Sequence, residues 1–138
     1  MLLFGHAPIR VSASRGVTLM LSNTCHCGAV QIEIPRPPES LINCNCSICR
    51  RYGALWAQYE VGTVRITGHP EHTVEYIWGE KTIKTVRCVH CGCVTHWEPL
   101  ESSGGAKLGV NVRNFDPEQI GDVRLRRFDG ADTWKYLD

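Results

Sequence analysis

The cysteines of this chain stand in three tight groups: Cys25-His26-Cys27, Cys44-Asn45-Cys46-Ser47-Ile48-Cys49 and Cys88-Val89-His90-Cys91-Gly92-Cys93. Thiols one or two residues apart close disulfides poorly, because the bridge demands a particular Cα separation and converging side chains. The same spacing suits chelation. Neighbouring thiolates on a tight turn, or at i and i+2 on one strand face, reach a common ion. Thiolate donors select soft or borderline metals, and zinc is the expected ion.

A closed structural zinc takes four protein ligands, and an open one takes three and keeps a position for substrate. Cys25 and Cys27, placed on a strand, with Cys88-x-x-Cys91-Gly92 in the form of a zinc knuckle, supply four; Gly92 lets the chain turn beneath the ion. Cys44, Cys46 and Cys49 then remain as a three-ligand set. Spacing alone leaves other partitions open. Cys25 and Cys27 can join two cysteines of the middle group, or Cys93 can complete a second four-cysteine site. The expected place for Cys93 is the core, as a free buried thiol.

Charge decides what an open three-thiolate zinc is good for. Three thiolates leave a divalent ion at a formal charge of about −1, a weaker Lewis acid than an ion held by neutral imidazoles. Capture and transfer of a thiolate suits such a centre better than generation of hydroxide. Arg50 and Arg51, directly after Cys49, are candidates to hold a substrate carboxylate, against the alternative of a solvated pair on a short turn. Trp56 and Tyr59 are candidates to line a pocket near the middle group.

The elements that must position these cysteines are strands. Val30, Ile32 and Ile34 alternate with Gln31 and Glu33 as in a half-buried strand, which Pro35-Arg36-Pro37-Pro38 ends. Further strands are expected over 53–61, 64–67, 94–97, 107–112 and 123–128. A hairpin is expected from 73–78 and 81–87 around Gly79-Glu80. Ser47–Tyr52 and Pro117–Ile120 are the expected helical turns. Short strands with turn signals between them define an antiparallel all-β domain.

The remaining aromatics and histidines carry no assignment to chemistry. Trp56, Trp78, Trp97 and Trp134 read as core and sheet-packing residues. His26 is expected on the surface and His90 as an exposed spacer in the knuckle. His96 is expected as a satisfied core or edge residue, with His69 and His72 in a loop.

At 138 residues, 43% hydrophobic and 21% charged, the chain has enough apolar surface for one core. A net charge of +1 gives no electrostatic footprint for nucleic acid. No apolar run approaches the ~18 residues of a membrane span. Met1-Leu2-Leu3-Phe4-Gly5-His6 makes a poor secretory signal, which favours an intracellular metal protein over a disulfide-stapled secreted one. Residues 1–19 read as a poorly ordered extension ahead of a domain at 20–138, with Met20 as an alternative start. Arg10, Ser12, Ser14 and Arg15, with no acidic residue before Glu33, also fit a transit peptide. The expected location is cytoplasmic, or mitochondrial under that second reading.

The set Cys25-x-Cys27-Gly28-Ala29-Val30, Cys44-x-Cys46-x-x-Cys49-Arg50 and Cys88-x-x-Cys91-Gly92, with Gly53-Ala54 and a late Trp134, resembles the glutathione-dependent formaldehyde-activating enzyme family over roughly residues 20–137. The resemblance implies a stack of twisted antiparallel sheets with two zinc sites. By it, Cys25, Cys27, Cys88 and Cys91 hold a structural zinc and Cys44, Cys46 and Cys49 a catalytic one. It also implies glutathione and formaldehyde as substrates, condensed to S-hydroxymethylglutathione in carbon–sulfur lyase chemistry. Two other functions compete with this one. The first is a non-catalytic zinc-binding interaction module of the same fold. The second is a redox enzyme such as a sulfoxide reductase, which needs an unligated, low-pKa cysteine, and Cys93 is the candidate. Nothing in the sequence specifies an oligomeric state.

Overall fold

The computed structural model describes residues 12–14, 17–19, 21–101 and 103–138. β1 (Ser12–Ser14) and β2 (Val17–Leu19) form an antiparallel pair of their own. They fall in the stretch read as an extension, the rest of which, with Met20, lies outside the described residues. A three-stranded antiparallel sheet follows, in the order β3-β4-β7, from β3 (Leu21–Thr24), β4 (Gln31–Ile34) and β7 (Arg65–Thr67).

The second sheet has seven strands. They are β5 (Ser40–Cys44), β6 (Trp56–Glu60), β8 (Thr73–Ile77), β9 (Ile83–Cys88), β10 (Val94–Pro99), β11 (Lys107–Asn111) and β12 (Arg124–Phe128). Their order is β12-β5-β6-β11-β10-β9-β8. The all-β expectation holds, with one difference from a purely antiparallel domain. β12 runs parallel to β5, in a register that pairs Ile42 with Arg126 and Cys44 with Phe128. α1 (Ser47–Tyr52) and α2 (Pro117–Ile120) are the two expected helical turns, and a 3₁₀ turn spans Val112–Asn114. No helix among the described residues is long and apolar enough to cross a membrane.

The core lies between the sheets. Leu21, Ile32 and Ile34 of the small sheet meet Leu41, Ala57, Tyr59, Leu108 and Val110 of the large one, with Val112 and Phe115 closing an end. Burying each such aliphatic side chain contributes about 1.5–3 kcal/mol. β4 is more enclosed than its alternation suggests. Glu33 is also buried, with Arg65 Nη1 3.8 Å from its carboxylate. β7 approaches the chain after Cys27 so closely that a Cβ on Gly68 would collide with the Ala29 carbonyl; Gly68 also has φ +89°. Glycine is required there on both counts.

Candidate functional site

The ends of strands from both sheets bring four of the cysteines together. Cys25 follows β3 immediately, in a turn closed by Cys25 N–H to the Val30 carbonyl (3.0 Å) and Gly28 N–H to the Cys25 carbonyl (3.1 Å). The pair Cys25/Cys27 therefore sits on a turn, not on strand backbone as the sequence suggests. Cys88 is the last residue of β9, and Gly92 (φ +78°) folds back to donate to the Cys88 carbonyl at 2.9 Å. The sulfurs of Cys25, Cys27, Cys88 and Cys91 lie within 4.8 Å of one another. Cys25 and Cys27 are 3.7 Å apart, and Cys27 and Cys88 3.5 Å apart. A tetrahedral zinc with Zn–S bonds near 2.3 Å sets sulfurs about 3.8 Å apart, so this spacing fits a shared ion and is far from a bonded pair.

Protons are unevenly held here. Burial pushes the Cys25 thiol up to about 12. Burial also acts to raise Cys91, but backbone N–H groups of Cys93 and Cys27 and the Cys88 thiol outweigh it and bring Cys91 down to about 6. Cys93 is half-buried against this cluster, packing on Cys25, Val30 and Cys88, and burial raises its thiol. It lies outside the four-sulfur group, and it lacks the lowered pKa that a redox nucleophile needs.

The middle group is built around a helix start. Cys44 ends β5, and Cys46 caps α1, its sulfur accepting from Cys49 N–H at 3.4 Å. All three sulfurs lie within 4.8 Å of one another. The Cys49 thiol donates to Cys44 and, with N–H groups of Cys46 and Gly130 assisting, holds Cys44 down at about 6 against its burial; Cys49 is correspondingly raised. Of the two, Cys44 is thus the sulfur held more readily as thiolate. These donors fit a soft divalent ion.

The parallel register of β5 and β12 brings the C-terminal segment onto this cluster. With Cys44 level with Phe128, the next residues of both strands meet. Asn45 N–H donates to the Phe128 carbonyl (3.1 Å), Asn45 Nδ2 to Asp129 Oδ1 (3.0 Å), and Ala131 N–H to Asn45 Oδ1 (3.0 Å). Gly130 passes so close that a Cβ would lie 2.6 Å from Cys44 Sγ and 3.2 Å from Cys46 Cβ. Asn45, Asp129 and Gly130 are site residues that sequence reasoning missed. Asp129-Gly130 reads only as a turn, and its partner lies some eighty residues upstream in a pairing no local pattern encodes.

The other candidates divide. Trp56 is buried at 3% exposure and points its indole N–H at Cys49 Sγ, 3.4 Å away. Arg50 and Arg51 are exposed on α1, and Arg51 Nη1 donates back to the Ser47 carbonyl at 2.8 Å. Two tryptophans expected in the core are exposed: Trp78 at 39%, and Trp134 at 71% on the turn beside Gly130, its ring edge-on to Phe128. Tyr59 is buried and donates to the Arg36 carbonyl at 2.9 Å. His26 and His90 are exposed as expected, and His90 meets the His72 ring at 3.2 Å. His96 differs from expectation. It is fully buried, yet Nε2 has no hydrogen-bond partner among the described residues.

A cavity of about 350 Å³ opens beside β5, where Ser40 and Ile42 line it with Arg36, Glu39, Lys107 and Arg126. Ser40, Ile42 and Cys44 alternate with the core residue Leu41, so the cavity and the middle cluster share one side of β5.

Fold and site together define a two-sheet β protein organised around cysteine clusters at strand ends. Residues 20–126 match the model of a family described as glutathione-dependent formaldehyde-activating enzyme. The chain is also similar to a protein of Rhodobacter sphaeroides of known crystal structure, with 34% identity and a TM-score of 0.62, over 76% of this chain and 99% of that one. The chain belongs to the glutathione-dependent formaldehyde-activating enzyme family.

Proposed function

We propose that the protein condenses glutathione with formaldehyde, and cleaves the adduct in reverse, as a zinc-dependent carbon–sulfur lyase. The observation that carries this reading is the contrast between the clusters among the described residues: four sulfurs converge in one, and Cys44, Cys46 and Cys49 alone in the other. Cys25, Cys27, Cys88 and Cys91 would hold a structural zinc, and the trio a second ion. When bound at the trio, zinc supplies an electropositive centre that lowers the pKa of a substrate thiol and holds its sulfur.

The chain's own groups do the rest. The Trp56 N–H and the Gly130 N–H fix the Cys49 and Cys44 sulfurs from outside the cluster. Arg36, Lys107 and Arg126 offer cations for the two carboxylates of a tripeptide thiol, and Glu39 an anion for its ammonium group. Arg50, exposed on α1, is a further candidate for the same role. The exposed ring of Trp134 offers a wall beside Gly130. In the forward direction the glutathione sulfhydryl gives up its proton and its sulfur attacks the formaldehyde carbon. A C–S bond forms, the carbonyl π pair moves to oxygen, and that oxygen takes a proton. Holding both reactants in place converts an encounter into a positioned attack.

The test is exchange between glutathione, formaldehyde and S-hydroxymethylglutathione, followed by NMR on wild type and Cys46→Ser, with zinc counted and glutathione binding measured by calorimetry. Loss of exchange, of glutathione binding and of about one zinc per chain in the variant is expected. Unaltered glutathione affinity would separate substrate from this cluster. No rate above the uncatalysed exchange would leave the alternative, a zinc-binding interaction module of the same fold.

A further inference from the structure

A second kind of donor cluster lies away from the cysteines, between the sheets. His96 and Glu98 stand two residues apart on β10 and so face the same side. His96 is paired with Val86 and with the core residue Val110, so that side is the one facing the small sheet. His69, two residues beyond β7, reaches across from the small sheet, its ring edge-on to His96 at 5.0 Å. His69 Nε2 is 3.0 Å from Glu98 Oε1, and His96 Nε2 is 3.4 Å from Glu98 Oε2. The three side chains each direct a donor atom to within 4.8 Å of the others.

A threonine hydroxyl holds each imidazole at Nδ1. Thr95 Oγ1 lies 2.9 Å from His96 Nδ1 and also donates to the Val86 carbonyl (3.2 Å). Thr73 Oγ1 lies 2.6 Å from His69 Nδ1 and 3.4 Å from the Pro70 carbonyl. Nε2 of each ring is left directed at the Glu98 carboxylate, so three candidate ligand atoms converge. The His96 end of this is fully buried, and its Nε2 has no hydrogen-bond partner among the described residues. Lys84 pairs with Glu98 at 3.3 Å, but it is also bound to Glu75, so one cation serves two carboxylates.

We infer that His69, His96 and Glu98 form a third metal site, which takes a borderline divalent cation of the zinc and iron(II) kind. Bonds of about 2.1 Å to nitrogen and oxygen set ligand atoms roughly 2.9–3.4 Å apart, as found here for both imidazole–carboxylate pairs. A second partner at the other ring nitrogen is the usual support of metal-bound histidines, and Thr73 and Thr95 stand in that position. The ion would tie the segment after β7 to β10 and so clip one sheet to the other.

The experiment counts metal in the full, reduced chain. Zinc per chain should fall by about one in His69→Gln and in Glu98→Gln, while cobalt-substituted forms of both keep the wild-type thiolate-to-cobalt absorption, which reports the cysteine sites alone. Anomalous scattering at the zinc edge from wild-type crystals should place a peak among the three side chains, and this needs no variant to fold. Equal zinc counts in wild type and variants, or no peak at that position, would overturn the site and leave a protonated histidine–glutamate network in its place.

Discussion

Trp56 Nε1 lies 3.4 Å from Cys49 Sγ, so a buried indole donates to a sulfur of the three-cysteine cluster. Trp56 is paired with Ile42 across β5 and β6, which sets its ring on the side of β5 that carries Cys44. The N–H stabilises sulfur that carries charge, and a phenyl ring fills most of the same space without it. Trp56→Phe should weaken zinc binding at the middle cluster by about 10- to 100-fold, the usual effect of losing an outer partner. Release to a competing chelator measures this, with the four-sulfur cluster as the internal reference. Equal release from wild type and variant would assign the indole to packing alone.

Gly130 tests the C-terminal strap. A Cβ there would meet Cys44 Sγ at 2.6 Å and Cys46 Cβ at 3.2 Å, both within the cluster. Either the strap lifts, breaking the Asn45–Asp129 and Asn45–Ala131 bonds, or the sulfur moves. Gly130→Ala should cost about 1–3 kcal/mol in urea unfolding, as overpacking does. It should also loosen zinc at the middle cluster and leave the other cluster filled. A variant with wild-type stability and zinc affinity would show that the strap gives way freely.

Much of this was legible in the residues. The helical turns at Ser47–Tyr52 and Pro117–Ile120 and the strands after Gly53 follow from period and punctuation, since those signals are local. β5 was not, because Ser-Leu-Ile-Asn-Cys is short and follows a proline run, and only its neighbours β6 and β12 make it a strand. The convergence of the cysteines of 25–27 with those of 88–91 agrees with ligand counting, but their turn geometry does not follow from spacing. The strap over Cys44 and the His69–Glu98 contact join distant segments through tertiary pairing, which leaves no periodic trace. His96 reads as an ordinary core residue, because nothing local shows that its Nε2 has no hydrogen-bond partner among the described residues.

Acid should reveal Glu98. The imidazole of His96 first, then that of His69, holds its carboxyl at about 2, below the ordinary 4.5. A depressed carboxyl contributes stability that is present above the unfolded value and lost as pH falls through the folded one. Wild type should therefore lose melting temperature relative to Glu98→Gln between about pH 4.5 and pH 2. Loss of metal from the cysteines in acid is common to both proteins, and a cation held by Glu98 would add to the wild-type loss in the same direction. Parallel melting curves across that window would mean that Glu98 titrates normally.

The two cysteine clusters should respond in opposite ways to loss of one sulfur. Cys88 is fully buried at the end of β9, and with Cys91 it meets Cys25 and Cys27 from the small sheet, so its cluster joins the sheets. Structural zinc contributes on the order of 10 kcal/mol in small metal-folded domains, comparable to the whole stability of an ordinary one. Cys88→Ser should therefore shift the denaturant midpoint steeply downward or leave the chain unfolded. Cys46 is half-buried at a helix cap, and a serine hydroxyl caps as well as sulfur does. Cys46→Ser should accordingly keep a near-wild-type midpoint while losing glutathione exchange. Equal destabilisation by the two substitutions would make both clusters structural and remove the division of labour between them.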